Sequence, residues 1–426
     1  MSRRVRDPGL TFLKRPAAGL AAICIAACTR SSAPAPSPPV PNAIDATGLR
    51  VSLGVVPSAT LTATDAWRLI DRDGRVAAEG RAGDLLSLSS QAGTLTLAEP
   101  AGARREFAAP VSLVAVKPEA MISVNQRRYR GSLSILAADS GVRIVNRVGV
   151  EAYLRGVVPR ELGVRGAGDR AALEAQAVAA RSYAVARIGN TTRAYDVAAS
   201  TTDQVYGGVD AENAVADAAV AATEGLVLTY NGRVVSAPYH STCGGSTAAA
   251  DEIWRSQNEP YLQRVSDRIP GTDRYYCDIA PRFRWERSWR ADSLTAVVER
   301  YLRSYAQVPP GPVGEVRRVD VDSKTPSGRV AALWVETSRG RYRLRGNDIR
   351  YVLRSPSGEL LNSTYFSPEV VSSPDGRLTR LTVRGLGYGH GVGMCQWGAI
   401  GRARAGQDFR TILRTYFPGT TVARVY

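Results

Sequence analysis

Residues 141–162 read GVRIVNRVGVEAYLRGVVPREL, and residues 170–188 read RAALEAQAVAARSYAVARI. The first eight residues, from Gly141, are β-branched and apolar enough to read as a strand. Gly149 to Val158 is apolar at helical spacing. Pro159 has no N–H to give a helix and should break it, leaving Arg160-Glu161-Leu162-Gly163 in a Gly-rich loop. The second stretch is the best helix in the chain, with Leu173, Ala177, Ala180 and Ala184 down one face. Alanine lets backbones approach closely, so this helix should be central.

Working outward, helices and hairpins alternate. Glu212 to Thr223 reads as a second helix. Leu226 to Tyr230, then Asn231-Gly232, then Arg233 to Ala237 is a hairpin, because both central turn residues tolerate positive φ. That hairpin leads to His240-Ser-Thr-Cys243-Gly-Gly. Val316 to Leu344 is strand-rich with Ser327-Gly328 as a turn, and a Gly-rich loop spans Gly385 to Gly393. A last helix runs from Asp408 to Tyr416, stopped by Pro418-Gly419. Thr47 to Pro110 shows short alternating strands with a hairpin signal at Asp73-Gly74. The fold class is therefore α+β: mixed helices and antiparallel strands in a body over 111–426, with core motifs over 141–254 and a C-terminal part over 310–426, preceded by a small β-rich domain over 47–110.

The chain has 426 residues, 44% of them hydrophobic and 22% charged, which excludes disorder as its overall state. No stretch reaches the roughly 18 uninterrupted apolar residues of a membrane span. The formal charge of +16 comes from scattered arginines; the lysines are Lys14, Lys117 and Lys324. With no basic block and no nucleic-acid motif, this fits a bias toward Arg and Ala better than a polyanionic partner such as nucleic acid or anionic cell wall.

Residues 1–28 read as a lipoprotein signal peptide. Arg3, Arg4, Arg6, Lys14 and Arg15 are basic, Ala17 to Ala27 is apolar but short, and Ala26-Ala27 precede Cys28. Cys28 is the expected lipidation site. Residues 29–46 form a Pro/Ser/Ala-rich linker that stays extended. The expectation is an extracytoplasmic protein, held by a lipid at the periplasmic face of a bacterial membrane or secreted, whose only membrane contact is that anchor. Cys243, Cys277 and Cys395 remain in the body.

Six motifs occur in order. They are Val145-Asn146-Arg147-Val148 with Glu151 to Glu161, Leu173 to Ala184, Thr202-Asp203-Gln204-Val-Tyr206-Gly207-Gly208, His240 to Gly245, Gly346-Asn-Asp348-Ile-Arg350, and Gly387 to Ala399. Together they resemble the stage II sporulation protein D family, which includes amidase enhancers, over roughly residues 125 to 426. The resemblance implies a peptidoglycan lytic transglycosylase. Such an enzyme cleaves the bond after N-acetylmuramic acid without water and leaves a 1,6-anhydro end. It also implies denuded glycan strands as partners, with a non-catalytic amidase-enhancing role as the alternative.

By composition alone Glu161 is a solvated loop residue; the resemblance makes it the catalytic acid. Ordinary glycosidases need two carboxyl groups. Here the sugar's own 6-hydroxyl attacks, so one suffices if apolar walls such as Val157, Val158 and Leu162 raise its pKa. Gln204, Tyr206, Gln396 and Trp397 are the candidate saccharide contacts, and His390 could orient Glu161 or bind sugar. No cofactor is required by this chemistry. A structural zinc on His240, Cys243 and Cys277 is compatible with the residues and with some relatives, and so is a Cys243–Cys277 disulfide in an oxidising compartment.

Overall fold

The computed structural model describes residues 48–426, apart from 92, 99–101, 190–191 and 255–258. The expected signal peptide, Cys28 and the linker lie outside the described residues. None of the described helices is long and apolar enough to cross a membrane.

Two sheets build the first part. One is seven-stranded, in the order Val197–Ala198, Leu49–Val56, Gly141–Val148, Ser132–Ala138, Val111–Ala115, Trp67–Ile70, Val76–Gly80. The other is six-stranded and runs from Arg127–Tyr129 through Ser58–Ala63 and Leu86–Gln91 to Arg104–Ala108. Alternation puts Leu61, Leu86, Leu88, Leu95 and Leu97 into one core with Leu113, Ile135 and Ile144. The strands thus run on past the expected boundary at residue 110. Leu49 pairs with Val148 and Trp67 with Ala115, which knits both sides of that boundary into one sheet.

Strand Gly141–Val148 feeds helix α1, Val150–Leu162. Pro159 lies inside α1 rather than ending it, so Glu161 sits on the last helical turn and not in a loop. A proline inside a helix costs about 3 kcal/mol. Val157, Val158 and Leu162 are all within 3% of full burial, and each such side chain contributes roughly 1.5–3 kcal/mol. Packing therefore wins over the lost hydrogen bond. Gly163, at φ +78°, ends the helix with its N–H on Pro159 O.

Helix α2, Arg170–Val185, is buried on most sides, its many alanines letting neighbouring elements pack closely around it. It packs against α1, against helix α3 (Ala214–Ala222), and against two C-terminal helices, Gln396–Arg404 and Phe409–Tyr416. Arg181 on α2 is fully buried and forks onto Glu151 of α1 with two 2.7 Å bonds, while the Leu226 carbonyl takes a third N–H. This pair fixes α1 against α2. The Asn231-Gly232 turn forms as expected, with φ +50° and +74° between strands Leu226–Tyr230 and Arg233–Val234.

A second apolar cluster is built from the strands Arg284–Arg290, Val316–Lys324, Val330–Thr337, Gly340–Arg345, Phe366–Ser372 and Leu378–Leu386 and the helix Ala291–Tyr301. The chain returns from it through the Gly-rich loop to Met394–Cys395, which runs parallel to Tyr239–His240. At Gly393, φ is +72° and a Cβ would lie 2.1 Å from the Pro238 carbonyl oxygen. Only glycine permits this approach. The short parallel pair it creates positions the site.

Candidate active site

Glu161 projects from the last turn of α1, and its Oε1 accepts the backbone N–H of Val205 at 2.6 Å. The side chains of Tyr239 and Gln396 also hydrogen-bond it. Burial pushes its carboxyl up to about 6, against the opposing pull of these donors and of Arg160. Desolvation therefore outweighs three donors and a nearby cation. The expected walls Val157, Val158 and Leu162 are buried on the same turns of α1.

The donors are themselves held. Gln204 is wholly buried, donates to the Tyr239 hydroxyl at 2.9 Å and accepts the Tyr153 hydroxyl at 3.0 Å. Gln396 opens the helix Gln396–Arg404 and donates to Gln176 Oε1 at 3.3 Å. His390 Nδ1 accepts the Val392 N–H, so its Nε2–H donates to the Tyr239 carbonyl at 2.9 Å. Burial, His240, Arg350 and Arg329 hold that ring well below the usual histidine range, hence neutral. Through this bond His390 holds the backbone of Tyr239, whose side chain hydrogen-bonds Glu161.

The sequence candidates thus divide. Glu161 and Gln396 meet directly, and Gln204 supports them from behind. Trp397 is partly exposed beside them, with the Arg165 guanidinium 4.7 Å above its ring. Tyr206 is elsewhere. It is buried in the core against the Tyr153 ring at 4.9 Å, with its hydroxyl on Asn146 Oδ1 at 3.0 Å. Gly156 leaves the space its ring fills. Sequence reasoning missed Tyr239 and the Val205 N–H, although each directly adjoins a candidate, His240 and Gln204. A cavity of about 1060 Å³ is lined by Trp254, Arg264, Asn347 and Asp348 among others, and Glu161 is not part of its wall. Trp254 links it to the site by packing 5.2 Å from the His390 ring.

The residues proposed for zinc do not all meet. Cys243, Cys277, Cys395 and Asp267 bring their ligand atoms within 4.8 Å of one another, all four buried. His240 is not in this group. Its Nδ1 lies 3.1 Å from the Val392 carbonyl oxygen, and its ring packs 5.4 Å from that of His390. The set His240, Cys243, Cys277 is corrected accordingly: the His240 ring is engaged by the Val392 carbonyl and by His390 in the Gly-rich loop, while Asp267 and Cys395 join the two thiols. No disulfide joins the three cysteines.

A stage II sporulation protein family model matches residues 138–230, which hold α1, α2 and Glu161, and a domain of unknown function matches residues 271–393. The chain is 32% identical over 295 residues to the amidase enhancer of Bacillus subtilis (strain 168), covering 63% of this chain and 40% of that protein. It therefore spans well under half of that relative's length. It is 30% identical over 302 residues to an uncharacterised protein of Brachyspira hyodysenteriae, covering 70% of this chain and 73% of that one. To the stage II sporulation protein D of Bacillus subtilis it is 28% identical over 295 residues, covering 66% and 76%.

Proposed function

We propose a function from the premise that this chain belongs to the stage II sporulation protein D family: it is a peptidoglycan lytic transglycosylase with Glu161 as its single acid and base. The observation that carries this reading is a buried carboxyl raised to about 6 yet surrounded by donors. At neutral pH about a tenth of it is protonated, and its anion is stabilised once the proton has left.

The steps follow from that. Protonated Glu161 gives its proton to the glycosidic oxygen as the bond to C1 of N-acetylmuramic acid breaks. The 6-hydroxyl of the same sugar closes onto C1 and loses its proton to the carboxylate, which regenerates the acid. No water enters the product. Val205 N–H occupies Oε1, so the mobile proton belongs on the other oxygen. The donors that lower the pKa also stabilise the carboxylate in mid-reaction.

A second reading is a glycan-binding enhancer of a cell-wall amidase, favoured by the name of the Bacillus relative. Denuded glycan strands separate the two. The transglycosylase reading expects anhydro-muramyl products from the unaltered protein, with binding retained and products lost in Glu161→Gln. Binding without product in both proteins would instead support the enhancer. In either case we place the protein outside the cytoplasm, held by a lipid on Cys28 through the Pro-rich linker.

A further inference from the structure

We propose that Cys243, Cys277, Cys395 and Asp267 form a buried four-ligand site for a thiophilic divalent cation, zinc by its donor set, and that His240 takes no part in it. Four groups from distant parts of the chain converge here, each with its side chain removed from solvent.

The spacing suits a tetrahedral centre. Zinc–sulfur bonds of about 2.3 Å place tetrahedral sulfurs roughly 3.8 Å apart. The Cys243 and Cys277 sulfurs are 3.4 Å apart, and Asp267 Oδ2 is 3.8 Å from Cys243 Sγ. Three sulfurs and one carboxylate oxygen favour zinc over calcium or magnesium, which take oxygen donors.

The surroundings are those of ligands. Asp267 Oδ1 is occupied by Arg402 and by the Tyr416 hydroxyl at 2.7 Å, which leaves Oδ2 directed toward the thiols. Cys395 Sγ accepts the N–H groups of Cys243 at 3.2 Å and Gly398 at 3.3 Å, the latter at the start of a helix, where a thiolate is favoured. A Cβ on Gly398 would fall 2.4 Å from Asp267 Oδ2, so glycine is needed for the helix to come this close. A Cys243–Cys277 disulfide would explain neither Asp267 nor the two N–H groups aimed at Cys395.

Loading balances as the cation in and up to three thiol protons out. The net negative charge is countered by Arg402 and the N–H donors. Four protein ligands leave no position for water, which marks a structural site. What it holds is specific. Cys395 pairs with His240 in the parallel strands and directly precedes Gln396, while Tyr239 pairs with Met394. The cation therefore fixes the two strands that present Tyr239 and Gln396 to Glu161.

Metal analysis of the purified, gel-filtered protein should find about one zinc per chain. Replacement by cobalt should give the intense visible bands of a tetrahedral ion with thiolate charge transfer in the near ultraviolet. Cys395→Ser should retain at most about a tenth of that metal after dialysis, and His240→Ala and Glu161→Gln should retain all of it. Because Glu161→Gln keeps the metal, failure of this proposal and failure of the proposed chemistry are told apart. Metal-free protein carrying a Cys243–Cys277 disulfide, read as a loss of two hydrogens by mass spectrometry, would overturn the site. So would an octahedral cobalt spectrum in the unaltered protein, a result that does not depend on any variant folding.

Discussion

Gln204 Nε2 donates to the hydroxyl of Tyr239 at 2.9 Å, and this bond settles where the tyrosine proton points. With one lone pair of the oxygen taken, the O–H is directed at Glu161, which Tyr239 hydrogen-bonds. A buried amide thereby acts on the protonation chemistry of a carboxyl group through an intervening hydroxyl.

Removing that hydroxyl should raise the Glu161 pKa further, because one donor favouring the carboxylate is gone. In Tyr239→Phe the high-pH limb of kcat/KM should move up by about one unit, with kcat at its optimum reduced. An unshifted limb would mean that Tyr239 does not act on Glu161.

The unaltered protein should lose kcat/KM as pH rises through about 6, where Glu161 gives up its proton. Stability follows the same sign. A carboxyl whose folded pKa is raised from 4.5 to about 6 binds more protons folded than unfolded. Its contribution is thus most favourable below 4.5 and is lost as pH rises through 6, an effect of about 2 kcal/mol. Glu161→Gln should be more stable than the unaltered protein at pH 7 by about 1–2 kcal/mol, and the gap should close toward pH 4.5. Denaturant unfolding at both pH values checks this.

Tyr206 and Trp397 should behave in opposite ways. Tyr206→Phe loses the bond to Asn146 and should cost about 1 kcal/mol of stability with KM unchanged, while Tyr206→Ala should cost about 3–5 kcal/mol. Trp397→Ala, at a partly exposed ring, should raise KM for glycan strands with little change in melting temperature. Thermal melts alongside KM measurements distinguish a core role from a binding role.

Gly393→Ala places a Cβ 2.1 Å from the Pro238 carbonyl oxygen at a positive φ. It should separate Met394–Cys395 from Tyr239–His240 and reduce kcat by at least about tenfold, since a small misplacement of positioning groups is costly. Gly406, also at positive φ but with nothing within 4 Å, is the control. Gly406→Ala should cost about 1 kcal/mol of stability and leave kcat intact.

Local chemistry made much of this legible. The strand from Gly141, the Asn231-Gly232 turn and the last helix ending at Tyr416 before Pro418-Gly419 follow from residues that interact with near neighbours. Pro159 misleads because its local penalty is visible, whereas the burial of Leu162 that outweighs it is tertiary. Tyr206 looks like a sugar platform because an aromatic in a motif carries no mark of burial. The thiol cluster is the least legible part. Asp267 belongs to none of the motifs, and Cys395 reaches Cys243 only through a parallel strand pair that no local pattern announces.

In the proposed reaction a single carboxyl group cleaves the glycan while the sugar itself supplies the nucleophile. Digestion of denuded strands in ¹⁸O-enriched water, followed by mass spectrometry of the new ends, separates this chemistry from hydrolysis. Ring-closed muramyl ends without the heavy isotope are expected from the unaltered protein, and none from Glu161→Gln. Reducing ends that carry ¹⁸O, or anhydro ends formed at an undiminished rate by the variant, would contradict it.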